Sequence, residues 1–348
     1  MLDISVVLFL ILGLIVILIS CEIFTNGIEW LGVRMGLAET ATGSVLAAVG
    51  TAMPETIVPI IAIFLGGKVE GAEIGVGAIL GAPFMLGTLA MFIGGITLYY
   101  RHKRSNREAH LVVRRDHAER DLKHFMAMYT LALVAALLGF QKLFNHVPVN
   151  YFIAIILLLV YGFYLRRTLS DERTEKGNTC PPLYLCRAFG FDAEKGRLGL
   201  FLILLQVCGA LIGIIIGARI FVSEVETVAS QVGIPAMILA LLITPVATEL
   251  PEKFNSVMWY LRGKDTLGFG NITGAMVFQS SIPVSIGLLF TEWVIEPISV
   301  ASILIALAAS AWMFYSIRQK GGITYKVMLA SGSLYLLFIV LLLVFGTG

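Results

Sequence analysis

Charge, histidine and cysteine are all scarce in this chain of 348 residues. Charged side chains make up 14% of it and hydrophobic ones 58%, against about 25% and 45–50% in a soluble domain. That balance excludes a soluble enzyme. A formal net charge of +2 is too small to imply a polyanionic partner, which excludes a nucleic-acid binder. The four cysteines outline no disulfide framework: Cys21 and Cys208 lie in apolar runs, and Cys180 and Cys186 share a loop. Two thiols with no nearby histidine fall short of the four ligands of a zinc site. Nucleotide-binding loops, catalytic constellations and cofactor motifs are missing too, so neither an enzyme nor a cofactor is expected.

What the chain has is apolar length, with a mean hydropathy of +0.89. A membrane protein crossing the bilayer many times is the class that fits. Leu18-Ile19-Ser20-Cys21 looks like the cleavage box of a lipoprotein signal, but Met1 to Ser5 lacks the basic segment that should precede one. An uncleaved first helix is therefore expected.

A bilayer core of about 30 Å needs about 20 apolar residues per helix. Ten stretches qualify: 4–30, 39–66, 73–100, 124–144, 148–168, 197–223, 233–262, 266–290, 294–317 and 323–346. Twenty-four charged residues crowd into two stretches, Arg101 to Lys123 and Arg166 to Arg197. With the amino terminus outside, 21 of the 25 basic residues fall in inward loops. This positive-inside bias predicts both termini outside a cell membrane, that of a prokaryote, with the lipid bilayer as a partner. The basic loops could also bind anionic lipid or act in regulation. Trp30, Trp259, Trp293 and Trp312 lie near span ends and read as interfacial anchors.

Five spans precede the charged loop 169–196 and five follow it. An odd number per half turns homologous halves upside down relative to each other, the inverted repeat of many secondary transporters. The expected organisation is a repeat over 1–168, a cytoplasmic linker over 169–196, and an inverted repeat over 197–348. The chain aligns with itself accordingly. At an offset of 197, Thr51, Pro54 and Glu55 meet Thr248, Pro251 and Glu252; at 193, Gly77 and Gly81 meet Gly270 and Gly274. The fold class predicted is all-α integral membrane, with ten helices in two inverted five-helix repeats and broken second and seventh helices.

The chemistry concentrates in those two broken spans. Each carries a proline followed by glutamate, in Gly50-Thr51-Ala52-Met53-Pro54-Glu55 and Ala247-Thr248-Glu249-Leu250-Pro251-Glu252. Proline lacks an N–H and clashes with the carbonyl four residues back, so the helix opens and frees backbone oxygens. Free carbonyls at membrane depth persist only where they line a cavity or bind something. A central carboxylate costs roughly 2.5–3.5 kcal/mol on insertion scales, so Glu55, Glu249 and Glu252 unpaired would cost about 8–10 kcal/mol together. A bound cation compensates. Hard oxygen donors in a flexible cage suit Ca2+ before Mg2+. The competing account has Pro54 and Pro251 merely kinking packed helices.

These motifs resemble those of the cation/calcium exchanger superfamily, whose sodium/calcium exchangers carry Gly-Thr-Ser-Leu-Pro-Glu in each of two inverted repeats. A second family pattern, Gly-Asn-x-x-Gly-Ser-Asn, is matched by Gly270-Asn271-Ile272-Thr273-Gly274-Ala275-Met276 and, degenerately, by Gly77 to Pro83. The resemblance implies an antiporter that moves Ca2+ in exchange for H+ or Na+, with Glu55 and Glu252 as central ligands and Thr51 and Thr248 lending backbone oxygens. Exchange of another cation (Mn2+, Mg2+, or Na+ for H+) and a passive cation channel are the rival functions.

Departures from the pattern bear on the coupling ion. Family serine positions hold Ala52 and Glu249, a polar third-span position holds Leu86, and an eighth-span acid is replaced by Gln279. Weaker sodium dependence follows. Lys253 has two open readings: it reaches Glu249 along one helical face, or it snorkels toward the cytosol. Asn271, Gln279, Ser280 and Ser281 form a polar stripe that either faces the ion or bonds between helices. Glu22, Asn26 and Glu29 on the first span, and Ser223 with Glu226 on the sixth, line an access path or sit near the surface. Oligomeric state is not legible.

Overall fold

The computed structural model describes residues 4–34, 53–67, 70–105, 110–111, 113–138, 142–143, 147–171, 182–189, 196–233, 235–320 and 322–345. Its helices are α1 (Ile4–Arg34), α2 (Met53–Leu65), α3 (Glu70–Met85), α4 (Met91–Ser105), α5 (Arg115–Leu138), α6 (Val149–Asp171) and α7 (Tyr184–Phe189). After the linker come α8 (Gly196–Val232), α9 (Ala236–Thr248), α10 (Leu250–Leu261), α11 (Asp265–Gln279), α12 (Ile282–Phe290), α13 (Pro297–Lys320) and α14 (Tyr325–Phe345). Sheet among the described residues amounts to two short antiparallel ribbons, one pairing His110–Leu111 with Ile323–Thr324 and one pairing Lys142–Leu143 with Val147–Pro148.

Eight described stretches are long and apolar enough to cross a membrane, and two shorter apolar helices, Glu55–Leu65 and Ala236–Pro245, accompany them. The shorter ones belong to the expected second and seventh spans. The seventh is broken as its proline requires: α9 stops at Thr248, Glu249 adopts φ −88° and ψ 9°, and α10 restarts with Pro251 in its first turn. The second span is described only from Met53.

Two expected boundaries move. Helix α5 begins at Arg115 rather than at residue 124, because Glu119 pairs with Arg115 at 2.7 Å and with Lys123 at 3.6 Å, carrying the helix through the charged stretch. Helix α8 runs on to Val232 rather than stopping at 223. Trp293 is a further correction. It is buried, donating its indole N–H to the Ala132 carbonyl at 3.1 Å, so it packs the core rather than anchoring at an interface.

The third span is continuous from α3 to α4 through one π turn, Leu86–Ala90, where the hydroxyl of buried Thr88 bonds the Phe84 carbonyl at 2.6 Å. Helix α3 lies directly on the backbone of α9. A Cβ at Gly77 would collide with the Met237 carbonyl, and one at Gly81 with the Leu241 carbonyl. Gly77→Ala is therefore expected to cost about 1–3 kcal/mol by prising α3 from α9. A lowered unfolding midpoint in detergent would register this; Gly162→Ala, with open space around it, is the control, and equal midpoints for the two variants would refute the packing account.

Candidate functional site

Glu252 lies in the first turn of α10, whose N-terminus presents positive partial charge, and Glu55 lies on α2 two residues after its first described residue, Met53. Both are buried, and both lie within electrostatic reach of each other, of Glu249 and of Lys253. The halves of the expected motif therefore converge, although nearly 200 residues apart in sequence. Neither carboxylate oxygen of Glu55 has a hydrogen-bonding partner among the described residues. Thr51 lies outside those residues.

Glu249 sits at the break itself. Its N–H bonds the Pro245 carbonyl at 3.2 Å, and its own carbonyl accepts the Lys253 N–H at 3.1 Å. The Lys253 ammonium turns back into the protein: it stands 3.2 Å from the Glu249 carboxylate and donates to the Pro245 carbonyl at 3.1 Å. Lys253 is buried, so of its two readings the pairing holds and the snorkelling does not. The Pro245 carbonyl thus accepts twice, from the Glu249 N–H and from the Lys253 ammonium.

The polar stripe of α11 divides. Asn271 donates to the Glu252 carbonyl and to the Ser256 hydroxyl, each at 3.1 Å, so it braces the backbone that carries Glu252. Gln279 is fully buried, with its amide beside the Glu249 carboxylate. Ser280 and Ser281 bond carbonyls of their own helix end, at Val277 and Phe278. Thr248 bonds the Thr244 carbonyl at 3.0 Å, which commits its hydroxyl to α9, while the Thr244 hydroxyl is buried with no hydrogen bond among the described residues. Leu86 is buried at the start of the π turn.

The carboxylate oxygens of Glu55 and the Thr244 hydroxyl, buried without a hydrogen bond among the described residues, are hard oxygen donors of the kind that bind a cation. No three acidic, histidine or cysteine side chains among the described residues stand close enough to form a metal cage by themselves. Carbonyl, amide or hydroxyl oxygens would have to complete it.

Three features escaped the sequence reading. Cys21 on α1 is buried within electrostatic range of Glu55 and Glu252, where an apolar run had suggested only a core thiol. Asp121, within α5, accepts from the Thr273 hydroxyl at 2.9 Å and from the Tyr164 hydroxyl at 3.0 Å. Arg101, at the end of the third span, donates to the Tyr260 carbonyl at 2.7 Å and makes a bidentate pair with Asp265, one arm at 3.0 Å. The signal for the last two was present: Asp121 and Asp265 border long apolar stretches, where acids are rare unless paired.

Two residues of the first span's polar face bond to other helices, while the Glu29 side chain lies outside the described residues. Asn26 accepts from the Tyr184 N–H at 3.1 Å and from Gln206 at 3.0 Å, and Glu22 accepts from the Tyr184 hydroxyl at 2.7 Å. Together they tie α1 to α7 and α8. Glu226 accepts the Gly67 N–H at 3.1 Å and lines a cleft of about 330 Å³ with Arg219 and Ser223. Next to it Glu70, Glu73 and Glu226 line a second cleft. Glu296, in the turn before α13, is held above the usual carboxylate range by partial burial and by the charge of Glu73.

Residues 5–169 and 202–344 match the family model of the sodium/calcium exchanger protein. The chain belongs to that family. Among its relatives are a membrane protein of Methanocaldococcus jannaschii, 21% identical over 90% of this chain and 91% of the relative, and an antiporter designated CaxA of Alkalimonas amylolytica, 22% identical over 83% and 82%. The fold is that of solved exchangers. The H+/Ca2+ exchanger CAX superposes with a TM-score of 0.72 at 17% identity, covering 97% of this chain and 82% of that one. The sodium-calcium exchanger NCX_Mj gives 0.58 at 18%, covering 97% and 99%. This exchanger family member is thus a multi-pass membrane protein that handles inorganic cations, and its family is one of transporters.

Proposed function

We propose that the chain is a secondary antiporter that moves Ca2+ across the cell membrane by alternating access, with Glu55 and Glu252 as the central ligands of the ion and a monovalent cation, H+ before Na+, travelling the other way. The carrying observation is the convergence of two buried carboxylates from the two Pro-Glu motifs, with neither carboxylate oxygen of Glu55 hydrogen-bonded to another residue among the described ones. Two formal charges suit one divalent ion. Backbone oxygens of Thr51 and Thr248 belong to the proposed cage, and Gln279 faces it; Asn271 acts through the Glu252 backbone.

The architecture we propose for this activity is ten spans in two inverted five-helix repeats, 1–168 and 197–348, joined by a cytoplasmic linker over 169–196, with both termini outside. Relatives named for H+/Ca2+ and sodium-calcium exchange support the calcium reading. Protons are preferred to sodium because the third-span position is apolar Leu86 and the eighth-span position is uncharged Gln279.

Calcium-loaded proteoliposomes test the coupling. A proton gradient should drive efflux at least about tenfold faster than an equal sodium gradient. Efflux driven by sodium and flat across pH would refute proton coupling, and a net current that follows voltage without any counter-ion would replace the antiporter with a channel.

A further inference from the structure

The sequence asymmetry between the two motifs coincides with the odd group in the site. At the offset that superposes Glu55 on Glu252, Glu249 faces Ala52 and Lys253 faces Thr56. The acid and the base thus occur together, in one repeat only. In the fold they meet: the ammonium touches the Glu249 carboxylate at 3.2 Å and the Pro245 carbonyl at 3.1 Å, all within a buried setting.

One carboxylate oxygen and one backbone carbonyl beside a helix break are the donor types that hold a small monovalent cation at membrane depth; the Pro245 carbonyl keeps its helical bond from the Glu249 N–H and offers the ammonium its second lone pair. An ammonium is itself a compact monovalent cation with donors that can point at both. A purely structural role for the pair has little to recommend it, because buried ion pairs are commonly matched or bettered in stability by apolar residues of similar size. The local charge is also informative. With every group ionised, three carboxylates and one ammonium would carry a net charge of minus two, which one divalent ion neutralises.

We propose that Lys253 is a tethered cation: its ammonium permanently fills a monovalent-cation position made by the Glu249 carboxylate and the Pro245 carbonyl, and so excludes sodium from the site. This rests on the antiporter reading above and deepens it by assigning a residue to ion selectivity. Glu249 is then the partner of Lys253 rather than a ligand of the transported ion. Lys253 is a positioning residue for selectivity and touches no transported ion.

Binding of labelled sodium and, separately, labelled calcium to the purified full chain in detergent tests this. Lys253→Met, which keeps the length of the side chain and removes its charge, should gain saturable sodium binding at least about tenfold above the wild type. Glu249→Gln combined with Lys253→Met should lose that gain, because the carboxylate that would hold sodium is gone. A Lys253→Met protein that binds no more sodium than the wild type overturns the proposal, as does a double variant that keeps the gain. If the variants do not fold, the wild type decides: calcium binding indifferent to sodium supports the tethered cation, and sodium that competes for the calcium site overturns it. A wild type that binds no calcium would sink the calcium reading instead, and the sodium comparison would still stand.

Discussion

Glu55→Gln is expected to reduce calcium uptake into proteoliposomes by about a hundredfold or more while leaving the protein folded. The carboxamide keeps the volume of the side chain and removes the charge that faces the ion. Losing one partner of a buried charge interaction costs about 2–5 kcal/mol, and 1.4 kcal/mol is a factor of about ten. The fold should not suffer, because neither carboxylate oxygen of Glu55 has a hydrogen bond among the described residues to lose. Transport lost with the unfolding midpoint unchanged is the signature of a group kept for function. Near-normal uptake at matched protein levels would remove Glu55 from the site, and with it the proposed cage.

Arg101→Ala is expected to do the opposite, damaging the fold through a residue outside the ion cage. The guanidinium joins the third span to both ends of the turn after α10, through the Tyr260 carbonyl and the Asp265 carboxylate, and both side chains of the pair are buried. Removing one partner of a buried ion pair costs about 3–5 kcal/mol, a large share of the 5–15 kcal/mol that holds a typical domain together. Exchanging both partners for leucine should recover part of that loss, since no carboxylate is then left buried beside an apolar cavity. Unfolding midpoints of the single and double variants in one detergent supply the comparison. A single variant within about 0.5 kcal/mol of the wild type would show that the clamp does not hold the turn.

How far the sequence anticipated this site differs from residue to residue. Glu55 and Glu252 were legible because a proline followed by glutamate in an apolar span is rare, and here it recurs at a fixed offset. The direction of Lys253 was not legible. A flexible four-carbon stem reaches either its neighbour one turn back or the membrane surface, and packing decides between them. Asn271 was read as polar, and only the fold shows that its amide donates to the backbone carbonyl of Glu252. Arg101 and Asp121 were absorbed into a count of charged residues between spans. Hydropathy drops wherever charges gather, yet both lie on helices that continue through the charged stretch and bury one face. Cys21 needed the tertiary structure altogether, since nothing about a thiol in an apolar run points to carboxylates on other helices.

The packing of α3 on α9 is made by residues with no side chain, Gly77 and Gly81, against carbonyls. Such a junction can be damaged by addition but never by truncation. An alanine scan finds important positions by what they lose, and at these two it would insert a methyl group where backbone already stands. The same asymmetry governs drift: every single substitution at Gly77 or Gly81 enlarges the residue, so no graded series of weaker contacts connects this junction to a looser one, and change on one helix has to wait for a compensating shift of the other.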